Sequence, residues 1–151
     1  TMSAVQSFQC VLVGIDFSDD SLSALSVAHE RFAHPSATLV LLHAAETAAN
    51  LTDYAELRQQ VVQAQGHEVQ RQLATLAATY RSGWADVQAQ VEHGKPADVI
   101  LAAARAAHAD LVVLGSHGRS SLARTLFGGT TYHVARKVHC SVLVLRRRET
   151  H

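Results

Sequence analysis

The run Leu111-Val112-Val113-Leu114-Gly115-Ser116-His117-Gly118 decides the fold class of this chain. Four apolar residues without polar alternation fit a strand buried on both faces, as in a parallel sheet. Gly115 and Gly118 then break the run, and Gly128-Gly129-Thr130-Thr131 opens a helical pattern. A second strand, Ser141-Val142-Leu143-Val144-Leu145, follows. Strand, glycine loop, helix, strand is how an α/β domain presents backbone amides to an anion. The first amides of a helix lack partners and carry a partial positive charge.

Upstream, Cys10-Val11-Leu12-Val13-Gly14-Ile15 is another continuous apolar run, closed by Asp16. Ser18 or Asp19 is a credible N-cap for the next helix. Leu22, Leu25, Val27, Ala28 and Phe32 recur there at helical spacing until His34-Pro35. Ala37 to Ala44 reads as the second strand, with His43 placed mid-strand as a satisfied core histidine. From about Thr52 to Tyr80, Tyr54, Leu57, Val61, Val62, Val69, Leu73 and Leu76 mark a long helix that continues through Gly66. Ala85 to Val91 alternates, with Val87, Ala89 and Val91 on one face, as a half-exposed edge strand does. Gly94-Lys95-Pro96 opens a helix whose buried face is Val99, Ile100, Ala103, Ala104 and Ala107.

The order β-α-β-α-β-α-β-α-β predicts a three-layer, doubly wound α/β domain with a five-stranded, mainly parallel sheet. The two most apolar strands belong in the centre, side by side, which sets the order 3-2-1-4-5. The switch point then lies between strands 1 and 4, and ligands bind there at the carboxyl ends. Asp16 ends one of these strands and Gly115 the other, so two independent readings meet at one crevice.

Composition agrees with one domain spanning 1–151: 151 residues, 48% hydrophobic, with few aromatics. Thr1 precedes Met2 and reads as a cloning remnant. Thirteen basic and thirteen acidic residues cancel, so no global field steers the chain to nucleic acid or a membrane surface. No run approaches the roughly 20 apolar residues that span a bilayer, and no secretory leader pattern is read. Cys10 and Cys140 lack a CxxC context and read as ordinary thiols of a reducing cytoplasm. The ten histidines are scattered, and no dedicated metal site is expected.

Gly115-Ser116-His117-Gly118, nine residues, then Gly128 resembles the G-x-x-G-x9-G-(S/T) nucleotide motif of the universal stress protein family. Val11 to Ser18 resembles that family's first strand and its acidic end. Leu41-Leu42-His43-Ala44 is similar to its L-L-H-V strand, Gly94 to Ile100 to its G-x-P-x-x-x-I helix opening, and Cys140 to Leu145 to its closing C-P-V-L-V-V strand. The likeness covers nearly the whole chain in order, and the chain is identified as a member, of the ATP-binding type. The resemblance implies a Rossmann-like, adenine nucleotide α-hydrolase-like fold.

The resemblance further implies an ATP site, open also to AMP or ADP. Ile15 and Asp16 would lie by ribose and phosphates, and the Ala44 backbone at the adenine edge. Gly115, Ser116, His117, Gly118 and Arg119 would wrap ribose and phosphate. Gly128, Gly129, Thr130 and Thr131 would hold the distal phosphates, with Mg²⁺ or Mn²⁺ carried on them near Asp16. One departure stands out: Gly129 occupies the position of the family's Ser or Thr. Thr130 or Thr131 supplies the hydroxyl from a shifted position, or the γ-phosphate is held less tightly. Asp16 has a second reading, as a cap for the helix that follows.

Three functions compete. The first is a nucleotide-binding stress-response regulator, cytoplasmic and dimeric, with an unidentified protein partner. The second is an adenylyl-transferring or ATP-pyrophosphatase enzyme. It is disfavoured because Phe17-Ser18-Asp19-Asp20 is neither HxGH nor SGGxDS-like, and no Walker A motif is present. The third is a dimeric interaction module with weak or no ATP binding. His117 has no visible nucleophile and orienting partner, so no catalytic residue is assigned and at most slow ATP hydrolysis is expected. Pairing of Val142–Leu145 with a second copy would cover the apolar edge strand.

Overall fold

The computed structural model describes residues 7–45, 55–116 and 129–146. Five strands alternate with four helices: β1 (Cys10–Gly14), α1 (Asp19–Phe32), β2 (Thr38–Ala45), α2 (Ala55–Thr79), β3 (Asp86–His93), α3 (Pro96–Ala106), β4 (Leu111–Gly115), α4 (Gly129–Lys137) and β5 (Ser141–Leu145). The sheet order is β3-β2-β1-β4-β5, as the sequence predicts, and every pairing is parallel.

The uninterrupted apolar runs have a simple cause. Alternate residues of the central strands enter two separate cores. Val11, Val13, Leu39, Leu41, Leu111 and Val113 pack with Leu25 and Ala28 of α1 and Leu73 of α2. Leu12, Val40, Leu42, Val112 and Leu114 pack on the other face with Val99, Ile100 and Ala104 of α3 and Val134 of α4. With both faces covered, no position of β1 or β4 is left for a polar residue.

Local chemistry sets the element ends. Ser18 is the N-cap of α1, its hydroxyl accepting the Ser21 amide at 3.2 Å. Pro96 sits in the first turn of α3, where a missing N–H costs nothing. Gly94 holds φ +142°, a turn geometry that side chains resist. The Asp110 carboxylate receives the Gln9 and Cys10 amides at 2.8 and 2.9 Å and ties the start of β1 to the entry of β4. Gly66 lies within α2 without a break. α2 is described from Ala55, and the Thr52 and Tyr54 at its expected start lie outside the described residues.

Two expectations shift. β3 is an edge strand, but only Val87 and Val91 pack against the α1/α2 core, while Ala89 is exposed. His43 is satisfied yet not in the core: it lies near the carboxyl end of β2, half-buried, beyond the last fully buried residue, Leu42. Trp84, not singled out from sequence, is 8% exposed and donates its indole N–H to His29 Nδ1 at 3.0 Å. The His29 ring also meets Tyr80 edge-on at 5.1 Å, closing the space between α1, α2 and the start of β3.

Leu12 is completely buried at the sheet centre. Leu12→Ala is expected to lower unfolding free energy by about 2–5 kcal/mol, read as a drop in denaturant midpoint with an unchanged slope. Burial first, then the Asp110 carboxylate and Cys140, pushes the Cys10 thiol above its ordinary range. The folded state therefore holds this proton more tightly than the unfolded chain. Its contribution is complete below the unfolded thiol's pKa of about 8.5 and is lost as pH rises through the folded value. Cys10→Ala is expected to flatten part of the alkaline fall in stability, measured by denaturation between neutral pH and pH values above that range.

Candidate functional site

The chain direction reverses its march across the sheet between β1 and β4. β1 leads through α1 to β2 on one side, and β3 leads through α3 to β4 on the other. The carboxyl ends of β1, β2 and β4 thus open on one crevice. It brings together Ile15 and Asp16 after β1, Ala44 at the end of β2, and Gly115 and Ser116 at the end of β4. The start of α4, Gly129 to Thr131, is tied to the β4 end by a side-chain bond. His117, Gly118, Arg119 and Gly128 lie outside the described residues.

The β1–α1 turn is organised by its own side chains. Asp16 Oδ1 accepts the Ser18 amide at 2.9 Å and the Ser18 hydroxyl as well. Ser21 hydroxyl donates to the Ser18 carbonyl at 3.1 Å and receives the Asp16 amide at 3.3 Å. Asp16 thereby braces Ser18, the residue whose hydroxyl caps α1. Phe17, between Asp16 and Ser18, takes φ +63°, the left-handed region that a bulky residue rarely enters. Its ring packs on the His43 ring, centroids 5.3 Å apart. His43 Nδ1 lies 2.7 Å from the Ile15 carbonyl oxygen.

β2 outruns β1. Their register ends with Gly14 opposite Leu42, and the Ile15 amide donates to the Leu42 carbonyl at 2.8 Å. Along a strand, the N–H and C=O of alternate residues face the same neighbour. Leu42 faces β1, and Ala45 faces β3, where its carbonyl receives the Gly94 amide at 3.1 Å. Ala44 therefore turns its amide and carbonyl toward the gap beyond the end of β1.

On the far wall, the Ser116 amide donates to the Leu145 carbonyl at 2.9 Å and the side chain is fully buried. The Thr131 hydroxyl donates to the Gly115 carbonyl at 2.9 Å and is 5% exposed. Its proton is thus committed to joining α4 to β4. The glycines differ in kind. A Cβ on Gly115 would stand 2.8 Å from the Asp20 backbone carbon and 2.9 Å from its oxygen, so this glycine lets the first turn of α1 close on β4. A Cβ on Gly129 would meet nothing within 4 Å among the described residues.

Sequence reasoning missed two side chains here, His43 as a contact of the β1–α1 turn and Thr131 as the tie between α4 and β4. The available signal for His43 was its register, the first polar residue after the apolar run of β2. Asp16, Asp19 and Asp20 put three carboxylates around the N-terminus of α1. Among the described residues no three His, Cys, Asp or Glu side chains gather to hold a metal ion. No helix among them is long and apolar enough to cross a membrane.

The model of the universal stress protein family matches residues 7–146. Universal stress protein YxiE of Bacillus subtilis is 29% identical over 147 residues, covering 92% of this chain and 99% of the relative. Among solved structures, universal stress protein UspA from Lactobacillus plantarum superposes with a TM-score of 0.82 at 23% identity, covering 93% of this chain and 99% of the other. A universal stress protein solved in complex with cAMP superposes with a TM-score of 0.70 at 26% identity, covering 93% of this chain and 98% of that one.

Gly115→Ala is expected to lower unfolding free energy by about 1–3 kcal/mol, because the methyl meets backbone rather than a movable side chain. Gly129→Ala is expected to leave stability unchanged or raise it by up to about 1 kcal/mol, as alanine does in a helix. Chemical denaturation of the two variants checks this, and equal losses would contradict the distinction.

Proposed function

The chain belongs to the universal stress protein family, and from that premise we propose that it is a nucleotide-binding regulatory protein whose ligand is an adenine nucleotide, ATP in the first instance. The observation that carries this reading is the backbone of Ala44 turned to the crevice, beside Asp16 and opposite Gly115. A base that offers one donor and one acceptor on adjacent atoms fits an amide and carbonyl presented side by side. Adenine has that edge. The cAMP bound by one structural neighbour supports the same class of ligand.

The charge around the crevice shapes the phosphate end. ATP would enter with Mg²⁺ or Mn²⁺ on its phosphates, near Asp16, with the amides at the start of α4 toward the same anion. The metal supplies charge neutralisation. Gly129 keeps an amide there and lacks a hydroxyl, which weakens the hold on a γ-phosphate but not on AMP or cAMP. The regulator acts as a dimer: β5 is a sheet edge whose Val142 to Leu145 are only half-buried, and pairing with a second copy covers it.

Calorimetric titration of the protein with ATP, AMP and cAMP, with and without Mg²⁺, is expected to show saturable heat for at least one nucleotide, with ATP binding strengthened by the metal. Gly129→Ser is expected to tighten ATP by about tenfold, the worth of one charge-assisted hydrogen bond, and to leave cAMP unchanged. Absence of heat with every nucleotide would instead favour a dimeric interaction module. A monomer in light scattering at micromolar concentration would refute the pairing of β5.

A further inference from the structure

The β1–β2 ladder is interrupted at a definite atom. A parallel ladder that continued past Leu42 would next run a bond from the Ala44 amide to the Ile15 carbonyl. The register stops one pair short of that bond, with Gly14 opposite Leu42. The Ile15 carbonyl is met instead by His43 Nδ1 at 2.7 Å. A carbonyl oxygen only accepts, so Nδ1 carries the proton. The same ring packs against Phe17, whose φ of +63° is otherwise unfavourable, and holds the turn that presents Asp16.

We propose that His43 is the positioning residue of this crevice: its imidazole takes the Ile15 carbonyl, and thereby keeps the Ala44 amide out of the sheet and available to the ligand. The identity of that ligand rests on the nucleotide reading above. The role of His43 does not, because it is a statement about which donor occupies one backbone carbonyl.

The consequence runs opposite to ordinary destabilisation. With His43 replaced by leucine, the Ile15 carbonyl loses its side-chain donor, and the Ala44 amide can complete the rung. The ladder then grows at the expense of the site. Asparagine places an amide N–H where Nδ1 was and restores the bond, whereas glutamine places it where Nε2 was and does not.

The test uses the nucleotide-free full chain. Long-range proton–nitrogen spectra are expected to show His43 as the Nδ1–H tautomer at neutral pH. The Ala44 amide is expected to exchange faster with solvent than that of Leu42, which lies inside the ladder. His43→Leu should slow Ala44 exchange by about tenfold or more, and His43→Gln should follow it, while His43→Asn should keep the native rate. Affinity for whichever of ATP, AMP or cAMP the native chain binds should fall roughly three- to tenfold in the leucine and glutamine variants, one neutral hydrogen bond's worth, and recover in asparagine. An Nε2–H tautomer, or Ala44 exchange in His43→Leu as fast as native or faster, would overturn the proposal. Were the leucine variant not to fold, the native tautomer and the contrast between asparagine and glutamine would decide it. A native chain that binds none of the three nucleotides refutes the proposed function alone, and the tautomer and exchange results still decide the role of His43.

Discussion

β1 stops at Gly14 while β2 runs on to Ala45, and the crevice follows from that mismatch. Backbone amides and carbonyls at a sheet margin need partners. Where two adjacent strands end together, the following loops supply them. Here one strand ends early, and its last carbonyl and its neighbour's next amide are handed to different partners. The Ile15 carbonyl goes to the imidazole of His43, and the Ala44 amide turns to the gap. Burial of β1 on both faces fills its flanks with the two cores, so a polar ligand addresses this strand at an end and not along its length.

Much of this architecture was legible because the information is local. A strand covered on both faces has no place for a polar residue, so Val11 to Val13 and Leu111 to Leu114 announce themselves and their central position. Turn chemistry is equally local, and Ser18, Pro96 and the acidic residues after β1 mark their helix ends. The candidate crevice follows from strand order alone, which is why Asp16 and Gly115 could be paired across a separation of many residues. What stayed hidden are bonds between side chains and distant backbone. Nothing near His43 in the sequence points to Ile15, and nothing near Thr131 points to Gly115. The same holds for Trp84 and His29, joined across 55 positions. An apolar pattern tells which face a residue occupies but not which polar atom it meets at the end of a strand.

His29 and His43, both half-buried, make the same point through opposite demands on one atom. His29 uses Nδ1 as an acceptor for the Trp84 indole, so that nitrogen must be unprotonated. His43 uses Nδ1 toward a carbonyl, so that nitrogen must be protonated. A histidine count from the sequence cannot separate these cases, because the distinction lies in what faces each nitrogen.

The glycine motif divides on similar grounds. Gly115 is required by the protein itself: α1 approaches so closely at Asp20 that any side chain would strike backbone. That approach also brings the N-terminus of α1, with its capped turn and three carboxylates, to the end of β4. Gly129 has no such packing reason, since nothing among the described residues presses on it. A glycine at the first residue of a helix leaves its amide with no side chain to shield it. Thr131, two residues further along the same element, is held by the Gly115 carbonyl and fixes the start of α4 on β4. The two glycines therefore belong to one device, in which the first sets how near α1 comes to β4, and the bond from Thr131 to its carbonyl sets where α4 begins.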